Sequence, residues 1–263
     1  MDSWNKLIIW SCNSDICVTL STNSGEQVLI DCLQKVYPLG QFVLGGFAGS
    51  VKIGFTMLAK LQREFSAVDR SEAWILDIVA NTWWPRLAKH IFNSFPKEEK
   101  KLGSQILLAS AHPTKNRGDA PWAWTDVYSF SSPNFSPNKA GQNEIVSIGS
   151  GTDISTYINS VKEARDDFTY HQAMMLGGAS AQGMFVASIV EKTVKENPIS
   201  GVSYLFQVAI VKRGEFSIMN HEYDIMKPGG QKIEIRFPDI ALNYDQLIQI
   251  IRNKGYMVEG ALC

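Results

Sequence analysis

The sequence predicts an α+β fold of stacked layers, and three observations carry that expectation. Four β-rich runs precede any helical periodicity. Pairs of helix-like stretches then alternate with further strand runs, and a strict strand–helix–strand alternation never sets in. This order suits antiparallel sheets covered by helices and argues against a doubly wound parallel sheet.

In chain order, Leu7 to Cys12 is β-rich, Asn13-Ser14-Asp15 has turn chemistry, and Ile16 to Leu20 is β-rich again, so an opening hairpin is expected. A third run, Gln27 to Tyr37, should end at Pro38 and Gly40, before the apolar stretch Phe42 to Phe47. Ile53, Met57, Leu58, Leu61 and Phe65 then recur at helical spacing, with Lys52, Lys60, Arg63 and Glu64 between them, which predicts an amphipathic helix over 51–65. Ser71 can cap a second helix through Trp74, Ile75, Ile78 and Val79, with Pro85 as a kink or boundary before Leu87, Ile91 and Phe92.

Strands are expected at Gln105 to Ala111, Thr125 to Ser131 and Glu144 to Ile148, with a mobile loop from Pro113 to Trp122. Ile154 to Ala164 and Met184 to Val194 read as helices. Val202 to Val211 and Phe216 to Met219 read as a hairpin turning at Arg213-Gly214. After Asp224 come a short strand at Lys232 to Phe237 and a helix from Tyr244 to Lys254, capped by Asn243 and ended by Gly255.

Composition narrows the function classes. Over 263 residues, 25 Lys and Arg balance 26 Asp and Glu, so no field of one sign draws the chain to nucleic acid or an anionic membrane. Cys12, Cys17, Cys32 and Cys263 show no CxxC or metal-ligand spacing and read as reduced thiols. Those within strands are expected to be buried and inert. The opening MDSWNKLIIWSC has too short an apolar run for a signal peptide or a membrane span, so a cytoplasmic protein is expected. His90, His112, His171 and His221 form no i, i+4 pair, and neither a metal nor another cofactor is expected. Trp74, Trp83, Trp84, Trp122 and Trp124 read as core or subunit-contact residues before a ligand platform.

Three segments occur in order: Phe42-Val-Leu-Gly-Gly-Phe-Ala-Gly-Ser50 running into a helix, Ile148-Gly-Ser-Gly151 running into a helix, and Ser200-Gly201 before a strand. Each is a small-residue turn, which lets one element pack close to the end of another. Together they resemble the proteasome β-subunit family and its bacterial relative, the heat-shock-locus two-ring peptidase, over roughly residues 5 to 220. That resemblance implies a four-layer αββα sandwich, two antiparallel sheets between helix layers, of the N-terminal-nucleophile (Ntn) hydrolase kind. It also implies subunits that assemble into rings, hence a homo-oligomer, with a peptide or amide as possible substrate. Residues 1–223 would form this domain and 224–263 a C-terminal extension.

In such enzymes the side chain of the first residue attacks and its own free amine is the general base, so Thr, Ser or Cys must stand there. A nearby lysine lowers the amine's pKa, and carboxylates orient both groups. Aligning the opening strands by resemblance puts Asn5 at the nucleophile position, where no hydroxyl or thiol is available. Lys35 falls near the family's lysine, with a solvated strand lysine as the alternative. Ser21 and Asn197 fall where the family carries aspartates, whereas Ser150 and Ser200 match serines that help hold the N-terminal group. If the first hairpin were two residues longer, Ser3 would be the nucleophile once Met1 and Asp2 were removed. The expectation is therefore a structural or binding subunit without peptidase chemistry. The alternatives are a serine-type Ntn amidohydrolase and an unrelated α+β binding module.

Overall fold

The computed structural model describes residues 6–12, 14–19, 27–33, 36–40, 42–66, 75–116, 123–141, 144–149, 155–167, 172, 185–186, 188–189, 192–197, 206–212, 215–219, 224–226, 232–234 and 241–255. Among them the strands are β1 (Lys6–Cys12), β2 (Ser14–Thr19), β3 (Gln27–Leu33), β4 (Val36–Gly40), β5 (Val43–Gly49), β6 (Ser104–Asn116), β7 (Ala123–Ser131), β8 (Asn138–Lys139), β9 (Phe206–Lys212), β10 (Glu215–Met219), β11 (Asp224–Met226) and β12 (Lys232–Glu234). The helices are α1 (Val51–Phe65), α2 (Leu76–Thr82), α3 (Trp84–Asn93), α4 (Lys97–Lys101), α5 (Ser155–Asp166) and α6 (Tyr244–Asn253). Residues 185–186, 188–189 and 192–196 are helical as well. The mixture of helices and antiparallel strands is α+β.

The main sheet has the order β4-β5-β6-β7-β8, antiparallel throughout. Its two faces are covered differently, because successive side chains on a strand point opposite ways. Val43 and Phe47 of β5, Ile106 and Leu108 of β6, and Tyr128 and Phe130 of β7 join one core with α1, α2, α3 and α6. Leu44 of β5 and Ala109 and Ala111 of β6 turn the other way, where they meet Val36 of β4 and Ala209 of β9. Strand β9 pairs with both β1 and β10, so a second sheet meets the main sheet there.

Helix α1 forms where its apolar spacing predicts. Ser50 is its N-cap, its Oγ accepting from Ile53 N at 3.3 Å, and Val51, Ile53, Phe55, Met57, Leu58, Leu61 and Phe65 are all buried. Burying a Leu, Ile, Met or Phe of this kind contributes about 1.5–3 kcal/mol, so this one face outweighs any propensity term. Pro85 lies in the first turn of α3, the position its missing N–H tolerates, and it marks the boundary with α2.

Three expectations need correction. The opening hairpin does not form: β1 pairs with β9 and β2 with β3. The register sets Leu7, Ile8, Ile9 and Trp10 opposite Val211, Ile210, Ala209 and Val208, apolar against apolar at every step. The third run is two strands, β3 and β4, and Pro38 sits inside β4 instead of ending it. Proline is compatible with that place because β4 is an edge strand with an irregularity between Pro38 and Gly40. Residues 144–148 are not a strand, and their side chains serve a packing role described below.

Of the residues after Asp224, β11 and β12 pair as a short ribbon, and α6 joins the main core through Leu247 and Ile251. Asn243 caps α6, accepting from Gln246 N at 2.9 Å, and Gly255 ends it with φ 85°. The Tyr37 hydroxyl donates to the Ala241 carbonyl at 2.8 Å, pinning the segment to β4.

Candidate functional site

The end of β5 collects the small residues that the sequence singles out. Gly45 faces the helices, and a Cβ on it would lie 2.4 Å from Leu39 Cδ1 and 3.1 Å from Leu58 Cδ2. Gly49, at φ 81°, turns the chain into Ser50 in the left-handed region, where a side chain is strained. A Cβ there would also strike the Gly103 carbonyl oxygen at 2.6 Å. Ser50 N donates to that same oxygen at 2.9 Å, tying the end of β5 to the start of β6. The Ser50 hydroxyl donates to Glu99 Oε2 at 2.5 Å, so a buried carboxylate from α4 sits beside the positive end of α1.

The second small-residue turn reaches this same place. Gly149 N donates to Gln105 Oε1 at 2.8 Å, and a Cβ on Gly149 would lie 3.2 Å from that of Ala48. Gly149 has φ 95°, so the position favours glycine on conformation as well as on space. Ala48 and Gln105 are direct cross-strand partners of β5 and β6, so the turn docks on one rung of the sheet. The residues leading to it are anchored too: Ile145 packs against the cluster that Tyr157, Val161 and Ala164 of α5 form with Val186 and Val194. The 144–149 stretch therefore spans from the second pair of helices to the end of β5. Gln105 is a neutral acceptor, so this contact holds a turn in place and supplies neither a nucleophile nor a base.

A separate polar cluster lies on the helix-covered face. The Tyr128 hydroxyl and Lys139 Nζ both donate to Asp77 Oδ1, Lys139 Nζ also lies 2.9 Å from Asp126 Oδ1, and Asn81 Nδ2 donates to the Tyr128 hydroxyl at 3.4 Å. Lys139 Nζ stands 5.2 Å from the centroid of the Tyr128 ring. The Asp126 side chain is 0% exposed, so its charge depends on this company. Burial works against the Lys139 ammonium, but its bonds to Asp77 and Asp126 outweigh that and hold its pKa above the ordinary lysine value. Burial, then the bond to Asp77, raises Tyr128. The cluster straps α2 to β7 and the edge strand β8. His112 is buried on β6, its ring 5.3 Å from that of Phe42, and Trp84 is fully buried with its ring edge-on to Phe130 at 6.3 Å.

Of the residues assigned a role by resemblance, Ser3, Asn5, Ser21, Lys35, Ser150 and Ser200 lie outside the described residues. Asn197 is described, with contacts belonging to a helix end. Its N and Nδ2 donate to the Thr193 carbonyl at 2.9 and 3.2 Å, and its own carbonyl accepts from the Tyr157 hydroxyl. Gln105 and Gly54 carry no motif in the sequence, and their importance comes from what lies across from them. A Cβ on Gly54 would fall 2.2 Å from the Phe47 ring. Among the described residues, no group of His, Cys, Asp and Glu could hold a metal, and no helix is long and apolar enough to cross a membrane.

No protein-family model matches the chain, and a search of curated proteins finds no match. Among solved structures, a match is the crystal structure of eukaryotic HslV from Trypanosoma brucei, at TM-score 0.46 and 11% identity, over 80% of this chain and 96% of that one. A likeness of that degree assigns neither an activity nor a partner.

Proposed function

We propose that this chain is a proteasome-like β-type subunit that lacks the N-terminal nucleophile and acts as a structural or binding subunit of an oligomer. The observation that carries the reading is the docking of Gly149 on Ala48 and Gln105. Two small-residue turns, separated by about a hundred residues of sequence and both part of the resemblance, meet at one rung of one sheet. The element order and the helix-covered sheet with a second sheet on its other face are consistent with the reading. A second helix layer, built from α5 and the helical residues of 185–196, would complete an αββα sandwich. Residues 1–223 form the subunit domain in this proposal and 224–263 an extension, with the protein resident in the cytoplasm.

The chemistry follows from Asn5. Its carboxamide has no lone-pair-bearing hydroxyl or thiol to add to a peptide carbonyl, so an amine next to it has nothing to activate. Lys35, Ser150 and Ser200 would then survive as a polar shell without a reaction, and with Ser21 and Asn197 in place of carboxylates the shell loses its negative charges.

Two measurements test this on the full chain. Intact mass gives the mature N-terminus, and sedimentation velocity gives the assembly. A chain starting at Met1 or Asp2, inert to an electrophilic probe for N-terminal nucleophiles and sedimenting as an oligomer, is the expected result. A chain starting at Ser3 that the probe labels there would establish the amidohydrolase instead. An inert monomer would favour the unrelated binding module.

A further inference from the structure

We propose that the loop between β7 and β8 forms a binding site for a small uncharged polyol, a molecule of the kind and size of a single sugar ring. Alternation along β7 sends Tyr128 and Phe130 into the core beneath the helices, so Ser129 and Ser131 stand on the opposite face. There they border a pocket of about 280 Å³. Asn138, the cross-strand partner of Ser129, donates from Nδ2 to Ser129 Oγ at 3.2 Å and completes the floor. Ser132, Asn134 and Ser136 of the loop supply the wall, and Pro133 adds its apolar patch. At roughly 30 Å³ for each water of the liquid, the space equals about nine waters, the bulk of one sugar ring.

The shape of the loop is fixed at several points. Ser132 N donates to the Ser104 carbonyl at 2.8 Å, Ser132 Oγ accepts from Ser104 N at 3.0 Å, and Phe135 N donates to the Ser131 carbonyl at 2.8 Å. Phe135 itself has φ 54°, a left-handed value that strains a bulky residue. Its burial offsets that strain: the ring is 0% exposed and meets the Phe92 ring edge-on at 5.6 Å. Strain held in place by packing is characteristic of ligand clamps, and here it fixes Asn134 and Ser136 on either side of the plug. Among the described residues, the Ser131 and Ser136 hydroxyls and the Asn134 carboxamide make no hydrogen bond within the chain, which leaves them for a guest. Lys139, next along the chain from Asn138, is engaged by Asp77 and Asp126 on the other face, and no ionised side chain lines the pocket. A phosphate or carboxylate would therefore find no cation there, and an amine no carboxylate. Hydroxyls and carboxamides, each both donor and acceptor, match a ring of alcohols.

Saturation-transfer NMR on the full-length protein tests this with glucose, myo-inositol and glycerol as probes, and with a phosphorylated glucose and a blocked glycine amide as comparators. Transfer to a neutral polyol is expected, with a millimolar dissociation constant that suits so few ligand atoms. The phosphorylated sugar should bind no tighter than glucose. The double variant N134A/S136A changes two exposed side chains, so it should keep its unfolding temperature and bind about tenfold more weakly, as for the loss of two modest hydrogen bonds. S131F, which fills the pocket from its floor, should abolish the signal, and if it does not fold the double variant alone carries the loss arm. The proposal is overturned by no transfer to any polyol, by an unchanged constant in N134A/S136A, by tighter binding of the phosphorylated sugar, or by a response to the amide alone. Assembly does not enter this readout. An oligomer that ignores polyols would leave the proposed function standing, and a monomer that binds them would refute that function while leaving the pocket.

Discussion

Replacing Gly54 with alanine sets two effects of known size against each other. In an ordinary helix interior the change gains about 1 kcal/mol, because glycine gives up more backbone entropy than alanine. In α1 the new methyl would lie 2.2 Å from Phe47 Cδ2 and 2.5 Å from its Cγ. Carbon atoms rest about 3.5–4.0 Å apart, so the ring or the helix must retreat by more than about 1 Å. The ring has little room to do so: Phe47 is 2% exposed, with the Tyr37 ring 6.3 Å and the Phe55 ring 5.1 Å from its centroid. Overpacking of this sort costs about 1–3 kcal/mol and here sits at the upper end, which leaves a net loss of about 2 kcal/mol after the helix gain. With a urea slope of about 3 kcal/mol/M, the unfolding midpoint should fall by about 0.7 M. Tryptophan fluorescence at fixed protein concentration would follow it. In an F47L background the methyl has space, and G54A should turn neutral or stabilising, a coupling of about 1–3 kcal/mol. A raised or unchanged midpoint for G54A alone would show that α1 does not lie this close on β5.

Other perturbations read the remaining contacts. K139M leaves the buried Asp126 carboxylate without its ammonium and should cost about 3 kcal/mol, the low end for a broken buried pair because Lys139 keeps 30% of its side-chain exposure. Equal midpoints for K139M and the parent would mean that the pair carries nothing. Lys139 and Tyr128 both hold their protons more tightly folded than unfolded. Their contribution is thus complete below about pH 10, the unfolded values, and is lost as pH rises through the folded ones. Urea midpoints taken from pH 8 to 11 should fall at the alkaline end, and less steeply in K139M. S50A removes both the cap of α1 and the donor to Glu99, for about 2 kcal/mol in total, and calorimetry should show the loss.

What the sequence made legible was local. The period of Ile53, Met57, Leu58, Leu61 and Phe65 delivered α1, Asn243 and Gly255 bounded α6, and the β9–β10 hairpin formed where two β-rich runs flank Arg213-Gly214. Each of these is settled by neighbours within a few residues. The failures were non-local. Nothing within Leu7 to Cys12 says that its partner is some two hundred residues away in β9 and not the adjacent β2. Pro38 looked like a terminator because its tolerance depends on β4 being an edge, which only the assembled sheet decides. Residues 144–148 had strand composition, yet Ile145 found its partners on helices. The site followed the same rule: the glycines of both turns were visible, but Gln105 acquires meaning only from the amide that reaches it.

The placement of Pro38 bears on how copies of this chain could come together. At one margin of the main sheet, β4 offers a backbone interrupted by an imino acid and an irregularity, and at the other, β8 is two residues long. Among the described residues, an interrupted strand at one margin and a very short one at the other are both ways of making an edge a poor template for an additional strand. Strand addition along β4 or β8, a step toward fibrils, is thereby disfavoured.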